Sequence, residues 1–238
     1  MHKTIQTRKG KYRYKFVPIY EGVKLIDKTI ANENLKLLKQ VCDQNGLTFL
    51  LYFGTLLGAV REHDFITHDE DIDLIMSKEQ MPSFLDMLFQ LREVGFELAR
   101  FEHRGFLSII RKGEYIDIYF YQPYPSDPQL NYCCMDVWEK KYNEDVAPIT
   151  FLGNTYMAPA DYRGYLEHQY GPDWQTPVKF YNYERTKLDL LKQYARQYVK
   201  ALLPHTITER IQARKDRPNL EKYVRRIEEK RKQKAEKK

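Results

Sequence analysis

The stretch "FGTLLGAVREHDFITHDEDIDLIM", Phe53 to Met76, sets four acidic residues, Asp69, Glu70, Asp71 and Asp73, inside five positions. An apolar run precedes it and another closes it. "DIDLIM" has the alternation of a strand, so Asp71 and Asp73 share one face while Ile72, Leu74 and Met76 share the other. "LTFLLYF", Leu47 to Phe53, has strand length, Gly54-Thr55 reads as a turn, and "LLGAVRE" reads as a short helix. An acidic run is usually a solvated loop. Carboxylates crowded beside a buried strand instead repel one another and call for a compensating cation.

Working outward, "NENLKLLKQVCDQNG" is expected to be a helix stopped by Gly46, with Leu35, Leu38, Val41 and Cys42 on one face. A further helix carries Met81, Phe84, Leu85, Leu88 and Leu91 and stops at Gly95, with Pro82 in its first turn. "FELARFEH", "FLSIIRK" and "EYIDIYFY" read as three strands. In the last, Asp117 faces away from Ile116, Ile118 and Phe120. Pro123, Pro125 and Pro128 mark a loop, after which the pattern weakens until a helix opened by Pro159 or Asp161. "YERTKLDLLKQYARQYVKALLP" is expected to be a helix with a stripe of Leu188, Leu191, Ala195, Tyr198 and Leu202, ended by Pro204. The order of elements predicts an α+β fold: a mixed β-sheet core flanked by helices, with a helical C-terminal part.

The 238 residues are enough for a substantial core, and no apolar run reaches the ~20 residues that span a bilayer. Cys42, Cys133 and Cys134 form neither a disulfide framework nor a zinc pattern, which points to a reducing, cytoplasmic setting. The net charge of +6 sits at one end: Pro204 to Lys238 holds 13 Lys plus Arg against 6 Asp plus Glu. Such a tail suits an anionic inner membrane face or nucleic acid; it lacks the interleaved aromatics of single-strand binders, so no nucleic-acid partner is expected.

Mg²⁺, or Mn²⁺, takes oxygen ligands, often one or two carboxylates plus substrate phosphates. Asp71 and Asp73 point the same way, and Asp117 on a second strand can close the site from the side. Gly54 lets backbone approach an anion, Thr55 offers a hydroxyl, and Arg61 offers a fork for a phosphate. His63 and His68 are weaker candidates for donor or metal, as are Arg163, Tyr170, Gly171 and Trp174 for the pocket wall. Arg104 and Arg111 are further candidates for phosphate.

Taken together, "GTLLGAVREHDFITHDEDIDL" closely resembles the signature of LicD-type phosphotransferases, relatives of fukutin and the fukutin-related protein. "YIDIYFY" and "YRGYLEHQYGPDWQTP" are similar to that family's later segments, so the resemblance covers roughly residues 32 to 180. It implies a nucleotidyltransferase-like fold and transfer of phosphocholine or a polyol phosphate from a CDP-linked donor such as CDP-choline. The acceptor would be a hydroxyl of a lipopolysaccharide, capsule or teichoic acid, and CMP would leave. Asp71 and Asp73 would hold the metal with Asp69 or Glu70 assisting, and Asp117 would be the later carboxylate. Gly54, Thr55 and Arg61 match the phosphate-binding part. There are departures: His68 stands where tryptophan is common, Glu70 replaces the middle aspartate, Thr67 replaces a proline, and Glu62 to Asp64 differ from the commoner basic version. The domains expected are an extension over 1–31, the catalytic domain over 32–180, a helical part over 181–217 and a charged tail over 218–238. Two alternatives remain at this level: attack on a nucleoside triphosphate α-phosphate with pyrophosphate release, and a non-enzymatic nucleic-acid binder using the tail.

Overall fold

A computed structural model describes residues 1–18, 24–177 and 186–236. At its centre lies a pair of parallel strands, β4 (Ile72–Ser77) and β7 (Glu114–Tyr124), whose register sets Ile72 opposite Ile116 and Asp73 opposite Asp117. Ile72, Leu74, Ile116 and Ile118 have no exposed surface, as expected for a strand pair covered on both sides.

The other elements are β1 (His2–Thr7), β2 (Gly10–Lys15), α1 (Lys28–Gln44), β3 (Leu50–Leu51), α2 (Phe53–Arg61), α3 (Met81–Glu93), β5 (Glu97–Glu102), β6 (Phe106–Arg111), β8 (Asp127–Cys133), β9 (Asp136–Glu139), α4 (Lys141–Glu144), β10 (Val146–Phe151), β11 (Asn154–Pro159), α5 (Tyr162–Tyr170), α6 (Lys187–Leu202) and α7 (His205–Glu236). Among the described residues one mixed sheet runs β10-β11-β3-β4-β7-β6-β5, with β8 and β9 continuing from β7. β11 pairs with β3 in parallel, as β4 does with β7; the remaining pairs are antiparallel. The α+β expectation, a mixed sheet with flanking helices and a helical C-terminal part, is met.

Two expectations need correction near the centre. The strand read over Leu47 to Phe53 shrinks to Leu50–Leu51, because α2 begins at Phe53. Gly54-Thr55 is therefore the first turn of a helix and not a strand-to-helix loop. Phe53, just before Gly54, sits at φ 42°, a strained conformation for a bulky side chain.

The weak region after Tyr121 also holds more structure than its sequence announces. β7 runs on through Pro123 to Tyr124, and β8, β9, β10 and β11 follow. Residues 1–15, without a visible period, form a hairpin whose Ile5, Tyr12 and Tyr14 are buried. It is fastened to α3 by Arg8 on Asp86 (2.6 Å) and by the Arg92 guanidinium 4.0 Å over Tyr12. The alternating Tyr12, Tyr14 and Phe16 carried this signal amid four basic residues.

At the C-terminus the expected boundary at Pro218 falls inside α7, which continues to Glu236. A proline in mid-helix forfeits one backbone hydrogen bond. Beyond it Leu220, Tyr223, Val224 and Ile227 pack on Leu130 and Val137 of β8 and β9, which offsets the loss. The first residues of the 181–217 part, the last of the 32–180 domain and part of the 1–31 extension lie outside the described residues. The three cysteines are buried unpaired thiols. No helix among the described residues is long and apolar enough to cross a membrane.

Candidate active site

Residues from four adjacent strands meet in one polar row. Asp73 on β4 is opposite Asp117 on β7, Asp117 is opposite Ser108 on β6, and Ser108 is opposite Arg100 on β5. Equivalent positions on neighbouring strands point to the same face. The Ser108 hydroxyl donates to Asp117 Oδ1, and Arg100 Nη2 donates to Asp117 Oδ2 at 3.3 Å. Arg100 also donates through Nε to Ser108 Oγ at 3.3 Å and lies 4.3 Å over the Phe106 ring. Ser108 has no exposed surface, so its hydroxyl serves Asp117 and not solvent.

The β4 side of the row is built differently. The Asp73 backbone N–H donates to Thr55 Oγ1 at 2.8 Å, which pins the start of α2 to β4. The Gly54 N–H donates to Asp73 Oδ2 at 3.3 Å. Gly54 is required here: a Cβ would lie 2.7 Å from Asp69 Oδ2 and 3.4 Å from Asp73 Oδ2. The close backbone approach expected of this glycine thus serves the carboxylates directly.

Among the described residues none of Asp69, Asp71 and Asp73 forms an ion pair. Desolvation, and then the fields of Asp73 and Asp117, push the Asp71 carboxyl well above its usual range; desolvation, Asp69 and Asp117 do the same to Asp73. Desolvation raises Asp69 to about 6. Tyr115 and Tyr119 are driven upward by desolvation and then by the same aspartates. These groups line a cleft of about 460 Å³ together with His68, Glu70, Arg100, Arg104 and Asp136.

The described residues hold no preassembled cage of three metal-ligating side chains. The donor chemistry nevertheless fits a hard divalent cation: Asp71 and Asp73 offer carboxylate oxygen at a buried strand edge, with mutual repulsion still unrelieved. Asp117 differs, since Arg100 and Ser108 already occupy both of its oxygens.

Other candidates separate clearly. His68 lines the cleft. Thr55 is buried, with its oxygen already accepting from Asp73. Arg61 is not on the cleft wall; it donates to the Trp174 carbonyl at 3.2 Å and pairs with Glu62, tying α2 to the turn after α5. Tyr170 is not among the residues lining the cleft and is 43 % exposed, yet its hydroxyl is pushed up by desolvation and then by Asp73 and Asp69. Gly171, at φ 96°, ends α5, and Trp174 is buried in the main core. Arg111 is engaged with Glu33 and Asn34, away from the cleft. Arg163 and His63 are exposed and do not line the cleft. Arg104 does line it, held by Glu102 at 2.6 Å and by Asp216 of α7.

Arg100, Ser108 and Asp136 escaped the sequence reading. Arg100 and Ser108 are single polar residues interrupting apolar strands, a signal that gains meaning only when register aligns them with Asp117. Asp136 sits in the segment whose strands were not visible; Gln169 donates to it at 3.2 Å.

Residues 46–161, which contain the whole polar row, match the family model described as LicD/FKTN/FKRP, nucleotidyltransferase domain. Over those residues the chain is similar to the LicD family. Within that stretch lie Gly54, Asp71, Asp73, Arg100, Ser108 and Asp117; the hairpin β1–β2 and helices α6 and α7 lie outside it. The lipopolysaccharide cholinephosphotransferase LicD of Haemophilus influenzae is 27% identical over 113 residues, covering 40% of this chain and 43% of that protein. The human ribitol-5-phosphate transferase FKTN is 25% identical over 166 residues, covering 66% of this chain and 35% of that protein. The chain thus spans less than half the length of either relative. Among solved structures, the antibiotic-resistance factor ANT(2'')-Ia aligns with 88% of this chain at 12% identity and a TM-score of 0.44. The lincosamide adenylyltransferase LnuA aligns with 68% at 12% identity and a TM-score of 0.40. The fold assignment stands on the sheet itself and on the LicD-family match.

Proposed function

We propose that this protein transfers a phospho-alcohol, phosphocholine or a polyol phosphate, from a CDP-linked donor to a hydroxyl of a cell-surface glycan and releases CMP. The single observation that supports this most is the placement of Asp73 against Asp117 on parallel strands, with Asp71 beside them, inside the stretch similar to the LicD family. The two relatives are named for transfer of choline phosphate and of ribitol 5-phosphate, which defines the class of group proposed here.

Asp71 and Asp73 would hold Mg²⁺ or Mn²⁺, with Asp69 or Glu70 assisting and Asp117 completing the acidic wall. When bound, such a cation would neutralise diphosphate charge and the charge that builds on the leaving oxygen. The rest falls to the chain's own groups. Gly54 keeps the α2 backbone against Asp69 and Asp73, so the carboxylates stay aimed into the cleft. Arg100 and Arg104 present cationic side chains to the same cleft and suit the outer oxygens of a diphosphate. The acceptor hydroxyl would attack the phosphorus bearing the alcohol as the bond from that phosphorus to CMP breaks, and CMP would leave with the electron pair. Asp117, held by Ser108 and Arg100, would take the hydroxyl proton as one of those hydrogen bonds gives way. His68, Tyr170 and Gly171 stay in the proposal as donor- or acceptor-side residues, with Arg61 and Thr55 acting through the position of α2. We place the reaction in the cytoplasm, at the inner membrane face where lipid-linked glycans are exposed.

The test is a panel of CDP-choline, CDP-glycerol, CDP-ribitol and nucleoside triphosphates, supplied with Mg²⁺ and reading both CMP and pyrophosphate. CMP from one CDP-alcohol, lost in Asp71→Asn and Asp73→Asn, is the expected result. Pyrophosphate from a triphosphate, with no CMP from any CDP-alcohol, overturns the proposal in favour of nucleotidyl transfer.

A further inference from the structure

Helix α6 is amphipathic the wrong way round. Leu188, Leu191, Ala195, Tyr198, Val199 and Leu202 fall within an arc of about 100° on an ideal helix. Most of that arc faces solvent, Leu188 being 58 % exposed, Leu191 64 %, Val199 58 % and Leu202 72 %, while Tyr198 at its edge meets the Phe16 ring at 5.7 Å. The side turned inward is mixed, with Ala201 buried and Leu190 and Tyr194 half-buried beside Gln193, Gln197 and Lys200. Gln197 and Lys200 face a cavity, and Lys200 pairs with Glu102 at 2.7 Å. The helix is firmly specified in sequence, since Thr186 and Asp189 form a reciprocal capping box at its start. Leu203, Ile207 and Ile211 carry the exposed apolar surface around the corner onto α7.

Charge decides what this surface meets. Lys187 borders one edge of the arc, Lys192 and Arg196 the other, and Arg210 and Arg214 flank the isoleucines of α7. From Thr186 to Arg217 there are 8 Lys plus Arg against 3 Asp plus Glu. A second copy laid on the stripe would bring these cationic borders together, with Asp189 as the single acidic residue of α6 to oppose them. An anionic bilayer surface complements both parts at once, acyl chains for the leucines and lipid phosphates for the borders. We propose that α6 and the α6–α7 corner lie in the plane of an anionic membrane and dock the protein on it.

The docking face backs onto the chemistry. The inner side of α6 walls a cavity of about 420 Å³, built largely by β1, β5, α6 and α7, which shares Arg100 and Arg104 with the carboxylate cleft. A saccharide held at the lipid surface would enter between the docking helix and the cleft. Only this last step rests on the transferase reading; the docking does not. The membrane surface is thereby assigned to α6 and the start of α7, and not to the charged end of the chain, whose Tyr223, Val224 and Ile227 are packed on the sheet.

The experiment is flotation of the full chain with vesicles of phosphatidylcholine alone or in equal parts with phosphatidylglycerol, at low and high salt. Wild type is expected to float with the anionic vesicles and to be released by salt. The pair Leu191→Asp with Leu202→Asp should weaken flotation roughly tenfold or more. It should leave the melting temperature unchanged, since both side chains are exposed. Lys192→Glu with Arg196→Glu should weaken flotation and its salt dependence together, and covers the case in which the leucine pair disturbs folding. Failure of wild type to float, equal flotation on both vesicles, or flotation untouched by the leucine pair overturns the proposal. So does a dimer in light scattering that the leucine pair disperses while vesicles stay unbound. Flotation without CMP from any donor would sink the transferase reading and leave docking standing; CMP without flotation would do the reverse.

Discussion

The two sides of the carboxylate cleft are built to opposite rules. On the β7 side, Asp117 is met by a buried hydroxyl from β6 and a guanidinium from β5 beyond it. On the β4 side, Asp71 and Asp73 face each other's charge with one long backbone hydrogen bond at Asp73, and Gly54 clears space beside them. The β7 side is already neutralised, so its carboxylate is oriented for use. The β4 side keeps its repulsion unrelieved, which is the ground for the divalent cation proposed above.

The largest effect that can break this contrast is Asp73→Asn. Turnover should fall by about a thousandfold or more, the scale of several kcal/mol of lost transition-state stabilisation. The metal-free variant should nonetheless melt at a higher temperature than wild type, because a repelling charge has gone. Differential scanning calorimetry in a chelator, beside a CMP assay, reads both; a lower melting temperature contradicts the picture of unrelieved repulsion.

Next in size is Gly54→Ala. The added methyl would press on the Asp69 carboxylate and displace the β4 side without removing any charge. Roughly a hundredfold loss of turnover is expected, with metal affinity measured by calorimetry falling alongside. Wild-type affinity in this variant would show that the close approach has no bearing on the site.

The β7 side should answer more mildly. Ser108→Ala is expected to lower kcat by about tenfold with little change in KM, since it orients Asp117 without contacting the donor, whereas Arg100→Lys, which also gives up its fork for the diphosphate, should lower kcat by a similar factor and raise KM as well. The double variant should lose less than the product of the two, because both act on one carboxylate. Full additivity would separate them.

How far the sequence leads follows the same division. The β4 side is local: Gly54, Asp69, Asp71 and Asp73 sit within twenty residues, and period-two alternation suffices to put Asp71 and Asp73 on one face. Asp117 was legible as the lone acid among apolar and aromatic neighbours. Arg100 and Ser108 were not, because their meaning comes from the register of β5, β6 and β7 and no local pattern encodes that pairing. Strands β8 to β11 were missed for a related reason. Their prolines and half-buried faces blur the alternation, and tertiary packing supplies what propensity lacks. α6 was legible as an amphipathic helix, but which way its stripe faces is a property of the assembled molecule.

The smallest expected effect lies in the cavity beside the cleft, at Glu102. Burial disfavours the charged Glu102, but Arg104 and Lys200 prevail and hold its carboxyl down at about 2. A depressed carboxylate contributes stability that is fully present above its unfolded value near 4.5 and is lost as pH falls toward 2. Glu102→Gln should therefore cost about 1 to 2 kcal/mol at neutral pH, and the difference from wild type should vanish at the acid end of a urea-melt series. A difference independent of pH would assign the loss to packing.

The most direct measurement is calorimetric titration of Mn²⁺ into the full chain with a CDP-alcohol present, for wild type, Asp73→Asn and Ser108→Ala. The account predicts binding by wild type and by Ser108→Ala, and none by Asp73→Asn. Equal binding by all three, or loss confined to Ser108→Ala, would contradict it.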